Sequence, residues 1–233
     1  MALLQIHQMN SGLLIAIEGI DGTGKGTQCR LLFDALRSSG VAAELLQFPQ
    51  YESSFFGAEV GRYLHGEYGQ LPDVHPKFSA LLYALDRFEA RGQLLSALAS
   101  GKTVICDRYT PSNVAHQSAR TDATNRGDMA SWIQHVEYRV LGLPKPDIVF
   151  LLDSTVSSSQ SLVGLKEKRS YTDRTHDIQE ASGDHLQAAL DEFRKLAADS
   201  SWRIINCIAS DGSLRPAAEI HAELLEHVKN STR

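Results

Sequence analysis

The sequence predicts an α/β protein, a three-layer fold in which a five-stranded parallel sheet is flanked by helices. Three observations predict it. Short apolar runs alternate with amphipathic helical patterns along the chain, the mark of parallel strands covered on both faces. A glycine-rich segment joins the first apolar run to the first helical one. The composition, 42% hydrophobic and 22% charged over 233 residues, is ordinary for a chain that buries one full core.

The strand-like runs are Leu13–Glu18, Ala43–Phe48, Thr103–Asp107, Asp147–Asp153 and Arg203–Ile208. The first helical pattern, Gln28 to Ser39, sets Leu31, Leu32, Ala35 and Leu36 on one face. A long helical run is expected from His75 to Ser100. Met129, Trp132, Ile133, Val136 and Val140 share a further face, as do Leu186, Ala189, Leu190, Phe193 and Ala197. The last pattern carries Ala217, Ile220, Leu224 and Val228, with Pro216 near its start. In such folds ligands bind beyond the carboxyl ends of the strands, so the glycine-rich loop, Phe48-Pro49, Asp107-Arg108 and Asp153 are expected to meet along one rim.

Residues 1–12 read as a tail and 13–233 as a single domain. The net charge of −5 argues against a protein that coats nucleic acid. Cys29, Cys106 and Cys207 are odd in number and widely spaced, and read as reduced core thiols. No apolar run approaches the ~18 residues that span a membrane, and the first residues lack a signal pattern. A cytoplasmic location is the expectation.

The segment Gly19-Ile20-Asp21-Gly22-Thr23-Gly24-Lys25-Gly26-Thr27 has the strand–loop–helix context of a P-loop. Glycines let backbone N–H groups converge on a polyphosphate, and the helix behind offers its positive end. Gly19, Gly22, Thr23, Gly24, Lys25, Gly26 and Thr27 are therefore the expected contacts to a nucleoside triphosphate, with Lys25 as a point charge on the transferring phosphoryl group. The position after the lysine holds Gly26 where the usual pattern has a Mg²⁺-binding hydroxyl; the nearest hydroxyl is Thr27. Asp107, at a strand end, is a second candidate for Mg²⁺ or its water shell, and the adjacent Arg108 for a phosphate.

Tyr83 and Arg87 are four apart and share a helical face, an aromatic and a guanidinium that could stack on a nucleobase and bond its edge. On spacing alone an ordinary amphipathic helix with a core Tyr and a surface Arg fits better. From Ser154 to Ser182 the chain is rich in Ser, Thr and charged residues, with Lys166, Lys168, Arg169 and Arg174 close together. This stretch, about 154–182, reads as a mobile basic lid over a polyphosphate.

The chain resembles thymidylate kinases, P-loop nucleoside monophosphate kinases. The resemblance rests on the P-loop, Phe48-Pro49-Gln50-Tyr51, Tyr83-Ala84-Leu85-Asp86-Arg87, Asp107-Arg108-Tyr109 with Ser112-Asn113, and Leu143-Pro144-Lys145-Pro146-Asp147, in order and at family-like spacing. It implies a P-loop NTPase-type fold and transfer of the ATP γ-phosphoryl group to dTMP, with Mg²⁺, and a homodimer packed through helices flanking the acceptor site. It implies that Asp21 lies near the deoxyribose, Tyr83 stacks on thymine, Arg87 reaches the 4-oxo group and Asn113 the thymine ring. It implies that Arg108 grips the acceptor phosphate, with Phe48, Tyr51 and Ser112 nearby, and that His116 stands near the sugar. Asp177 and Glu180, past the lid's basic residues, resemble carboxylates near the sugar and metal. The P-loop carries no Arg, and relatives without it supply the catalytic cation from the lid. Arg169 and Arg174 are the favoured candidates, because a guanidinium spans two phosphate oxygens. The competing readings are another nucleotide kinase, for adenylate or a deoxynucleoside, and a P-loop switch; Gly-Lys-Gly-Thr favours the adenylate enzyme, and no Asn-Lys-x-Asp guanine-reading segment supports the switch.

Overall fold

The computed structural model describes residues 12–163 and 183–231. The elements run β1 (Leu14–Glu18), α1 (Lys25–Ser38), β2 (Ala43–Gln47), α2 (Phe55–His65), α3 (Pro76–Glu89), α4 (Arg91–Ala99), β3 (Thr103–Asp107), α5 (Thr110–Ser118), α6 (Arg126–Gln134), β4 (Ile148–Asp153), α7 (Val156–Val163), α8 (Gly183–Leu196), β5 (Trp202–Asn206) and α9 (Ala217–Ser231). The strands form one parallel sheet in the order β2-β3-β1-β4-β5. Five strands in one sheet were expected, and each lies within about two residues of its apolar run. All five residues of β1 are buried, which suits a central parallel strand covered on both faces.

Two apolar layers sandwich the sheet. Ile15, Ile17, Ile105 and Phe150 point to one side, against Leu32 and Leu36 of α1 and Leu224 and Val228 of α9. Leu14, Ala16, Val104 and Cys106 point to the other, against Leu94 of α4 and Leu143. The three cysteines are free and buried.

Two helical expectations need correction. The run from His75 to Ser100 is two helices that meet at Ala90, whose ψ of −5° departs from helical geometry. No Pro marks the break, and the apolar spacing continues across it, so periodicity could not reveal it. Likewise α6 does not run on as a regular helix. Residues His135–Val140 form a wider π turn, in which the Leu141 N–H bonds the Val136 carbonyl at 2.8 Å. Val140 therefore leaves the shared face and stands 66% exposed. Ala217 is also exposed, at the start of α9.

α5 is buried along its whole length although most of its residues are polar. It packs against α3, α6 and α8 and presents its hydroxyl, amide and imidazole groups to a cavity beside the P-loop.

Candidate active site

The loop after β1 wraps onto its own backbone. Thr23 Oγ1 and Lys25 Nζ both donate to the Ile20 carbonyl, at 3.0 and 2.8 Å. Gly24 caps α1 in a left-handed conformation with no side-chain cap and no acidic residue in the first turn. That helix end is left to offer N–H groups to an anion. At Gly22 the backbone of α7 closes in: a Cβ would stand 2.2 Å from the Ser159 carbonyl oxygen. Only glycine fits there.

On the β3 side a Cβ on Gly26 would stand 3.2 Å from Asp107 Oδ2. The absent side chain leaves space between a carboxylate and the first turn of α1. Asp107 thus faces Gly26, while Thr27 lies one position further round, exposed. Mg²⁺ takes one or two carboxylates and keeps several waters, so this donor set and this space fit the ion.

Arg108 joins the two halves of the site. Its φ of +66° is a conformation that few non-glycine residues adopt. Its N–H bonds the Ile17 carbonyl at 3.1 Å, and the next N–H, of Tyr109, bonds Glu18 Oε1 at 2.8 Å. Those anchors on β1 turn the guanidinium back over the P-loop. Nη2 meets Asp21 Oδ1 at 2.5 Å, and Nη1 donates to the Gly19 carbonyl and to Ser112 Oγ, at 3.2 and 3.0 Å. Burial opposes the Arg108 charge, but the carboxylates of Asp21, Asp107 and Glu18 outweigh it and raise its pKa.

Beyond Arg108 opens a cavity of about 480 Å³, its mouth included. It brings together Asp21, Phe48, Tyr51, Tyr83, Arg87, Arg108, Ser112, Asn113 and His116, every acceptor-side residue expected from sequence within the described part. Leu64 and Gln117 also line it and were not anticipated. Asp153 does not join: Arg194 of α8 holds it in a two-pronged ion pair at 2.9 Å. Asp177, Glu180 and the four basic residues Lys166, Lys168, Arg169 and Arg174 lie outside the described residues.

Three buried carboxylates brace this cavity, and sequence reasoning missed all three. Glu18 accepts from Ser112 Oγ at 2.5 Å as well as from Tyr109; burial pushes its carboxyl up to about 7, against the pull of Ser112 and Arg108. Asp86 accepts from the Gln50 N–H and from Ser54 Oγ at 2.6 Å, which pins the loop after the cis Phe48–Pro49 peptide. Glu137, in the π turn, takes both Nε and Nη2 of Arg87, at 2.6 and 2.7 Å. Arg87 is 2% exposed, so the surface-Arg reading of this helix is overturned. The one available signal was Glu18 itself, a charge closing an otherwise apolar strand run.

His116 lines the cavity and His185 of α8 packs beside it, their ring nitrogens 3.3 Å apart. Burial, with the nearby Arg108 and Arg120 charges, drives both toward the neutral form: His116 well below its usual range, His185 down to about 4.

Known proteins match this chain over most of its length. The family model for thymidylate kinase matches residues 17–210. Thymidylate kinase of Mycobacterium tuberculosis is 35% identical over 208 residues, covering 87% of this chain and 95% of its own. That of Arabidopsis thaliana is 34% identical, covering 95% and 74%, and that of Homo sapiens 29%, covering 85% and 84%. The solved thymidylate kinase of Candida albicans superposes with a TM-score of 0.71 at 22% identity, over 96% of this chain and 94% of that one.

Proposed function

The chain belongs to the thymidylate kinase family, and we propose on that premise that it transfers the γ-phosphoryl group of ATP to dTMP, giving ADP and dTDP. The observation that carries this reading is the position of Arg108, bonded to the P-loop on one side and lining the acceptor cavity on the other. An acceptor that is already an anionic phosphate needs no strong base. The obstacle is repulsion between two anions that must approach in line. Lys25 and Arg108 act on that repulsion, and the P-loop N–H groups hold the donor phosphates. Asp107 and Thr27 would hold Mg²⁺ beside Gly26, and the ion, when bound, supplies charge neutralisation on the phosphates.

In the cavity Phe48, Tyr51 and Ser112 are assigned to the neighbourhood of the acceptor phosphate, Asp21 and His116 to the sugar. Tyr83 is assigned to the ring face, and Arg87 with Asn113 to the base edge. The P-loop positions Ile20 to Thr23 carry no cation. A further positive charge is assigned to Arg169 or Arg174 of a lid at about 154–182, with Asp177 and Glu180 after its basic residues. Closure of such a lid would keep water from accepting the phosphoryl group. Self-association through α2 and α3 is part of the same reading: Phe55 and Phe78, 65% and 68% exposed, are apolar surface that a second copy would cover. No described helix is long and apolar enough to cross a membrane.

Replacing Arg108 with Ala tests the assignment. Turnover at saturating substrates should fall by roughly 10²-fold, the scale of one preorganised charge, with the ATP Michaelis constant nearly unchanged. Weakened ATP binding with intact turnover would assign Arg108 to the donor instead.

A further inference from the structure

Glu137 is 0% exposed and does not line the acceptor cavity, yet it holds two residues that do. Its carboxylate accepts from Arg87 Nε and Nη2 at 2.6 and 2.7 Å, from Thr110 Oγ1 at 2.8 Å and from Asn113 Nδ2 at 2.7 Å. These four donors, from α3 and α5, saturate both of its oxygens. A carboxylate so paired can only accept, and that fixes the polarity of everything around it.

Asn113 shows the consequence. Its Nδ2 donates to Glu137 and, at 3.0 Å, to the Ala80 carbonyl. Neither partner can donate in return, so the amide has one permitted orientation. Its Oδ1 is left buried and without a hydrogen-bond partner, on a residue that lines the cavity. A buried orphan acceptor costs free energy until a donor arrives. Arg87 is constrained in the same way. Nε and Nη2 are engaged by Glu137, which leaves Nη1 as the guanidinium nitrogen not so engaged, on a residue that also lines the cavity.

We propose that Glu137 is a positioning residue that sets the donor–acceptor pattern of the base-reading wall, and through it selects 4-oxo over 4-amino pyrimidine monophosphates. The inference rests on the base-edge role assigned above to Arg87 and Asn113. An acceptor from Asn113 beside a donor from Arg87 matches a ring with N3–H next to a 4-oxo group. Cytosine presents the reverse, a bare N3 beside a 4-amino group, so both contacts turn repulsive. Sites built to hydrogen-bond reject a mismatched analogue strongly, because their own buried polar groups are left unpaired. The selection is thus made by a residue that no substrate touches, in a π turn, an irregularity found often at functional positions.

Glu137→Gln keeps the shape and removes the polarity. In either orientation its amide sets an N–H₂ group against an N–H of Arg87. The readout is the ratio of dCMP to dTMP dissociation constants, measured by calorimetry on the folded protein, with ATP binding measured beside it. The ratio should fall about tenfold, the worth of one hydrogen bond to a charged group, with ATP affinity unchanged. A merely structural role would weaken both nucleotides alike and leave the ratio within about threefold of wild type, which overturns the proposal. If the Gln variant does not fold, Glu137→Asp decides by the same criterion, since the retracted carboxylate loosens its hold on both readers: a fall beyond about threefold supports the proposal and a smaller one overturns it. Wild-type protein that phosphorylates dTMP while these variants keep its ratio would refute the role of Glu137 alone. Wild-type protein that does not phosphorylate dTMP would refute the function itself.

Discussion

The donor side and the acceptor side of this site are built by different means. The donor side is backbone. Glycines, one carbonyl that gathers Thr23 and Lys25, and an uncapped helix end make up the phosphate loop. The acceptor side is side chain. Groups from α3, α5 and the loops after β2 and β3 converge on it, and three buried carboxylates brace them: Glu18 under Ser112 and the Tyr109 N–H, Asp86 under the Gln50 loop, Glu137 under Arg87 and Asn113. A backbone site is local and costs the core little. A side-chain site of buried charges is tied into the core, because removing one partner strands the other in a medium that does not solvate it. Donor-side variants should therefore lose activity without stability, and acceptor-side variants should lose both.

Lys25→Ala gives the largest effect on the donor side. Turnover should drop by roughly 10²–10³-fold, while the melting temperature stays near that of wild type. A folded variant with near wild-type turnover would remove the P-loop from the mechanism. A variant that melts early would erase the contrast.

Arg87→Ala is its acceptor-side counterpart. It strands the Glu137 carboxylate, so stability should fall by about 3–5 kcal/mol in denaturant titration. The dTMP Michaelis constant should rise with that of ATP nearly unchanged. Tyr83→Ala, which leaves the Arg87–Glu137 pair in place, should raise the dTMP constant with a smaller loss of stability. If Arg87→Ala is as stable as wild type, the buried network is not what holds this wall.

A smaller effect sharpens the contrast through pH. His185 is neutral in the fold, with its pKa lowered to about 4 by burial first and the Arg120 charge second. The unfolded chain binds this proton near 6.5, so between those values it carries more protons than the native one. The stabilisation is whole above pH 6.5 and is lost as pH falls toward 4, by about 3 kcal/mol. Melting curves of His185→Phe should be flatter than wild type across that window; parallel curves would mean that His185 titrates alike in both states.

The same contrast explains what the sequence revealed. The phosphate loop is contiguous, so nine consecutive residues announced it. Asp21, Tyr83, Arg108 and Asn113 were placed together by resemblance of scattered segments, and the cavity does gather them. Their supports were invisible for a physical reason: Asp86 and Glu137 sit in helical patterns where a carboxylate ordinarily faces water, and their partners lie 32 and 50 residues away. The break at Ala90 and the π turn after Gln134 carry no Pro, so periodicity ran through both. Asp153 does close β4 on the expected rim, but strand-end position says where a side chain starts, not that Arg194 will claim it.

The most direct test of a phosphate loop facing a pyrimidine monophosphate cavity is ADP release with ATP and each of dTMP, dUMP, AMP and thymidine. The account predicts dTMP as the fastest acceptor, with AMP and thymidine at the rate of ATP hydrolysis alone. AMP or thymidine outpacing dTMP would contradict it.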